Sequence, residues 1–156
     1  MTTTTTSKIL VPHDGTEISD RALTKATEFA KSFKSEIIIL HIVDDRFVPP
    51  STTLGFISDQ SKLEDAKIQL IKILKQGAEL MLNDKISKVR ESGIGVRFLM
   101  DVGPPAEEIV SVANSQKVDL IIIGSRRLDK VDKLKALGSV ARKVSEIAVC
   151  PVMIVH

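Results

Sequence analysis

Residues 118–127 read Val-Asp-Leu-Ile-Ile-Ile-Gly-Ser-Arg-Arg, and residues 138–140 read Gly-Ser-Val. An apolar strand over Val118 to Ile123 ends in Gly124, runs into a basic loop and gives way to a helix opening at Gly138-Ser139. That pattern suits an anion. Glycines let phosphate oxygens approach the backbone, and the N–H groups at a helix N-terminus favour negative charge. The leading expectation from this stretch is therefore an anionic ligand, with a nucleotide first among the candidates. Between Arg126 and Lys143 there are seven basic residues (Arg126, Arg127, Lys130, Lys133, Lys135, Arg142, Lys143) against two acidic ones, Asp129 and Asp132. The same spacing also suits a solvated helix face.

Outward from that strand, the chain alternates strand and helix. Lys8 to Pro12 is a short apolar strand, and His13-Asp14-Gly15-Thr16 after it has the chemistry of a turn and helix cap. Ala22, Ala26, Phe29, Ala30 and Phe33 follow at three- and four-residue spacings, one face of a helix. Glu36 to Val43 contains Ile-Ile-Ile-Leu-His-Ile-Val, too continuous for a strand with one wet face, and so points to a parallel sheet covered on both sides. A loop from Asp44 to about Ser58 precedes a long helix. Its apolar stripe runs through Leu63, Ala66, Leu70, Ile73, Leu74, Gly77 and Met81, and on through Ile86 and Val89 to a stop near Gly93. Val96 to Met100 is a third strand and Pro105 to Gln116 a third helix with proline in its first turn. Beyond the glycine loop, Ser139 to Ile147 makes a last helix and Val152 to Val155 a last strand.

The order βαβαβαβαβ, joined by right-handed crossovers, predicts an α/β fold: a single open doubly wound five-stranded parallel sheet, order 3-2-1-4-5, with helices on both faces. Residues 8–156 form this one domain behind a flexible N-terminal tail, residues 1–7. Such sheets bind ligands at the carboxyl ends of their strands beside the switch point, here between the first and fourth strands. The loops leaving those strands are His13 to Glu17 and Gly124 to Gly138, so Asp14 and the phosphate-loop candidate face one crevice.

Composition bounds the partners. A chain of 156 residues with 43% apolar and 27% charged residues is one ordinary globular domain. Its 22 Lys and Arg nearly balance 20 acidic residues, leaving +2, so no global field favours nucleic acid or an anionic membrane. With no Trp or Tyr, a base-stacking surface is absent as well. Cys150, the single cysteine, reads as a buried structural thiol. No apolar run approaches the roughly 20 residues of a membrane helix, and the threonine-rich start lacks the basic and apolar regions of a signal peptide. The expected location is the cytoplasm. His13, His41, Asp14, Asp44 and Asp45 are better read as solvated or hydrogen-bonded than as a metal site. Gly138-Ser139 leads into Val140-Ala141 without a Walker-type lysine, so no catalytic residue is assigned and any hydrolysis is expected to be slow.

In combination these segments resemble the universal stress protein family. Ile9 to Ser19 resembles its N-terminal signature, Leu40 to Val43 its adenine-side strand, Val102 to Pro105 its third loop, and Gly124 to Val155 its C-terminal signature. The resemblance implies an adenine-nucleotide site. Pro12, Ile42 and Ile123 would line a purine slot, Asp14 would sit near the ribose or base edge, and Gly124 and Ser125 would face the phosphate and ribose region. Gly138, Ser139 and Val140 would offer backbone N–H groups and a hydroxyl to the phosphates. The expected ligand is ATP, AMP or ADP, with Mg2+ held through the phosphates. Members that bind ATP carry a second glycine where this chain has Arg127, and the stretch from there to Gly138 is one residue longer. Arg127 would either grip phosphate as a charged fork or fill the pocket.

The resemblance also implies a homodimer through the C-terminal strand Pro151–Val155, whose unpaired edge invites a second copy. Two functions follow. The first is a cytoplasmic stress-response sensor that binds ATP or a related adenine nucleotide and signals to a protein partner. The second is a nucleotide-free dimeric interaction module whose phosphate pocket is altered by Arg127.

Overall fold

The computed structural model describes residues 7–44, 46, 59–125 and 138–156. Strands β1 (Lys8–Pro12), β2 (Glu36–Asp44), β3 (Val96–Gly103), β4 (Leu120–Gly124) and β5 (Val152–Val155) alternate with helices α1 (Glu17–Phe33), α2 (Gln60–Glu91), α3 (Pro105–Ser115) and α4 (Ser139–Ile147). All strand pairs are parallel, in the order β3-β2-β1-β4-β5. This is the predicted doubly wound sheet, with its switch point between β1 and β4.

The unbroken apolar runs pack in both directions. Ile9, Val11, Ile37, Ile39 and Ile122 turn to one face, where Ala22, Leu23, Ala26 and Ala30 of α1 and Leu82 and Val89 of α2 cover them. Leu10, Ile38, Leu40, Ile121 and Ile123 turn to the other, under Ala106, Ile109, Val112 and Ala113 of α3 and Ala141 and Val144 of α4. Alternation along a strand sends neighbours to opposite faces, so a strand covered twice must be apolar at every position.

Strand limits and one helix face differ from the sequence reading, each for a local reason. The third strand runs three residues past Met100, because β2 continues to Asp44 and offers ladder partners as far as Asp44↔Gly103. The fourth begins at Leu120: Lys117 takes φ 54°, and the Val118 N–H donates to the Ala113 carbonyl at 2.9 Å, which closes the C-terminus of α3. In α2 the stripe through Ile73 and Met81 does not face the sheet. Ile73 is 62% exposed, and the buried residues are Ala78, Leu82 and Val89.

Candidate functional site

At the carboxyl ends of β1, β2 and β4, on the α3/α4 side, lies a cavity of about 310 Å³. Pro12, Ile42, Ile123 and Val140 line it together with Asp14 and Gly124. Six of the ten residues singled out in the sequence therefore share one wall, although Asp14 and Val140 stand 126 positions apart. The switch point explains this: β1 and β4 are neighbours, and their following loops leave in opposite directions and open a crevice between them. An adjoining recess of about 420 Å³, lined by Arg46, Glu107, Ser139 and Lys143, shares the walls Pro105 and Val140.

The remaining residues take other places. Ser125 is buried, its Oγ accepting from the Gly138 N–H at 2.8 Å. Its own N–H donates to the Val155 carbonyl at 2.8 Å, so it extends the β4–β5 ladder and pins the start of α4 to the end of β4. The Gly138 N–H is thereby committed to Ser125. Ser139 opens α4 and lines the recess. Arg127 lies outside the described residues, as do Met1 to Thr6 and the loop after Asp44 apart from Arg46.

Asp14 builds the turn that enters α1. Its Oδ1 accepts from the Thr16 N–H at 3.0 Å, from Thr16 Oγ1 at 2.5 Å and from Ser19 Oγ at 2.7 Å, an Asx turn that orders the N-terminus of the helix. Gly15, at φ 86°, takes the left-handed conformation this turn needs, and a Cβ there would meet Met81 Sδ at 2.7 Å. His13 is buried beneath the turn, bonded to the Gly15 N–H and to Asp20.

Several lining residues escaped the sequence reading. His13, Ser19, Leu40, Asp44, Pro105 and Ile109 complete the cavity. Ile109 was legible in principle, since the Ala106, Ile109, Ala113 spacing fixes the inner face of α3. Asp44 was not, because the predicted strand stops at Val43 and leaves Asp44 to the following loop, whereas β2 runs on to Asp44. Arg46 donates to Asp44 through Nη2 at 2.5 Å and through Nε at 2.9 Å, and its guanidinium holds the Asp44 carboxyl below the usual carboxylate range. The recess has a second ion pair, Lys143 with Glu107, whose carboxyl is lowered by that bond. Cys150 is half-buried, and burial pushes its thiol up, away from a reactive thiolate. Among the described residues no cluster of three His, Cys, Asp or Glu side chains is arranged to hold a metal ion, and no helix is long and apolar enough to cross a membrane.

Comparison with known proteins gives the same picture from a different direction. The model of the universal stress protein family matches residues 5–156. Universal stress protein YxiE of Bacillus subtilis is 34% identical over 150 residues, covering 96% of this chain and 99% of that protein. The solved structure of MJ0577, a universal stress protein of Methanocaldococcus jannaschii, superposes with a TM-score of 0.71 at 30% identity, over 96% of this chain and 94% of the other. A universal stress protein from Archaeoglobus fulgidus, solved in complex with dAMP, superposes with a TM-score of 0.61 at 20% identity over 97% and 98% of the two chains. With a family match that spans the sheet, the crevice and both signature loops, the chain belongs to the universal stress protein family.

Proposed function

We propose that the protein is a stress-response sensor that binds an adenine nucleotide, with ATP as the expected ligand, in the cavity at the switch point. One observation carries this reading. A small apolar slot, walled by Pro12, Ile42, Ile123 and Val140, opens beside two carboxylates and leads into a recess that holds Arg46, Lys143 and the first turn of α4. The polarity runs in the order a nucleotide requires. A purine packs between short apolar side chains, ribose hydroxyls donate to Asp14 and Asp44, and phosphates sit beside two cations and a helix N-terminus. Both cations are now paired with carboxylates, Arg46 with Asp44 and Lys143 with Glu107, and in this reading polyphosphate takes their place as the partner of the two cations. The dAMP complex of the Archaeoglobus protein belongs to that protein; at 20% identity it shares the fold, and the case here rests on the cavity.

In this proposal Mg2+ rides on the phosphates, the molecule works as a cytoplasmic homodimer through β5, and a protein partner reads the liganded state. The test is calorimetric titration of nucleotide-stripped protein with MgATP and with AMP. Ile42→Asp, which sets a carboxylate against the base, is expected to weaken both by at least about tenfold. Lys143→Ala is expected to weaken ATP more than AMP. No binding of either nucleotide by the folded protein rejects the reading.

A further inference from the structure

His13 is a fully buried titratable side chain whose role the nucleotide site alone does not explain. It lines the cavity with its side chain at 0% exposure, yet its ring reaches toward the other face of the sheet. Its partners fix its proton. The Gly15 N–H donates to Nδ1 at 3.0 Å, so Nδ1 is bare, and the ring hydrogen sits on Nε2, which donates to Asp20 Oδ1 at 2.9 Å. Asp20 also accepts from Lys85 of α2. The charged groups around the ring are thus Asp20 on α1, Lys85 on α2 and Asp14 in the turn. From β2, His41 donates through Nδ1 to the His13 carbonyl at 2.9 Å and holds the main chain.

Only the neutral ring is compatible with this arrangement. A proton added at Nδ1 would set an N–H against the Gly15 N–H, and a buried donor that loses its acceptor is costly. Repulsion between the two donors pushes the Gly15 amide, and with it the turn that carries it, away from the ring. Asp14 and Ser19, both in the cavity wall, are tied to that turn. Burial also pushes the imidazole below its ordinary value of about 6.5, against the opposing hydrogen bond and charge of Asp20, so the neutral form is the resting one at neutral pH.

We propose that His13 is a proton-sensitive positioning residue: neutral, it holds the Asp14–Thr16 turn as a wall of the cavity; on taking a solvent proton at Nδ1 it displaces the Gly15 amide, and the cavity releases its ligand. The identity of the ligand rests on the nucleotide reading above; the switch itself rests on the two ring contacts.

Two measurements test it on the full chain. Nitrogen-detected NMR of the ligand-free protein reads the tautomer: the expected result is Nε2–H at neutral pH, with the Gly15 amide shifting at the same midpoint as the ring. An Nδ1–H tautomer, or a ring already charged at neutral pH, overturns the proposal. Calorimetric titration with MgATP from about pH 7.5 to about pH 5 is then compared between wild type and His13→Asn, whose side-chain oxygen accepts the same N–H but takes up no proton. Ionisation of ATP is common to both proteins and cancels. Wild type is expected to lose about tenfold more affinity over the acid limb than the variant. Binding near pH 7.5 with coincident acid limbs rejects His13 while leaving the nucleotide site standing. Absence of ATP binding at every pH rejects the nucleotide site and, with it, the release of ligand by the switch.

Discussion

A Cβ placed on Gly124 meets the Ile18 carbonyl oxygen at 2.7 Å and its carbon at 2.9 Å, both backbone atoms that cannot swing aside. The same construction on Gly138 finds Ser125 Oγ at 3.6 Å, an ordinary contact, with φ at −60°. Two glycines that the sequence pairs in one phosphate motif thus answer to different demands: Gly124 lets the first turn of α1 close over the end of β4, and Gly138 precedes α4. Gly124→Ala is expected to cost about 1 to 3 kcal/mol through overpacking, whereas Gly138→Ala, at the N-cap of α4, should cost less, about 0.5 to 1 kcal/mol, through a poorer cap. Urea unfolding with matched m-values measures both, and equal effects would show that Gly124 is not set by Ile18. The sequence could not separate them, because the contact that distinguishes Gly124 comes from a helix more than a hundred residues earlier in the chain.

At the scale of elements, what was legible is what periodicity determines locally. Ile37 to Leu40 announced a strand buried on both faces, and the side chains of all four are at most 1% exposed. Ser139 to Ile147 and Val152 to Val155 have the bounds the sequence suggested. The long helix was legible as a helix but not as a face. Its apolar residues recur all around the first turns, so spacing alone could not choose between the part of the stripe through Ile73 and Met81 and the face of Ala78 and Leu82, which joins Val89 of the predicted stripe in the core. Packing against Ile37 and Ile39 chooses the second. Leu82, at 0% exposure, is expected to cost about 2 to 5 kcal/mol on truncation to alanine. Ile73→Ala, at a site 62% exposed, should change stability by less than about 0.5 kcal/mol. Thermal unfolding of the two variants would reverse this order if the stripe read from the sequence were the packed one.

The whole molecule ends in two sheet edges that differ in how they meet solvent. The β3 edge carries exposed Arg97 and Asp101, charges that discourage a further strand. The β5 edge carries Val-Met-Ile-Val, with exposed Ile147 (42%) and Val149 (86%) just before it. Its hydrogen-bonding direction follows from its ladder with β4: the Pro151 and Val155 carbonyls accept from Ile121 and Ser125, and strand alternation adds Met153 to that side. Val152 and Ile154 therefore present their N–H and C=O groups outward, as a second copy related by a two-fold axis requires. In the proposed homodimer these edges pair, and the Ser125–Val155 bond ties the end of β4, beside the cavity, to the edge strand. Ile154→Pro removes an outward N–H while leaving the inner ladder intact, and Val149→Asp charges a side chain that contributes nothing to the core. Each is expected to shift light scattering from dimer toward monomer, with far-ultraviolet dichroism unchanged. Variants that remain dimers would move the interface away from β5, and a wild-type protein that scatters as a monomer would reject the homodimer.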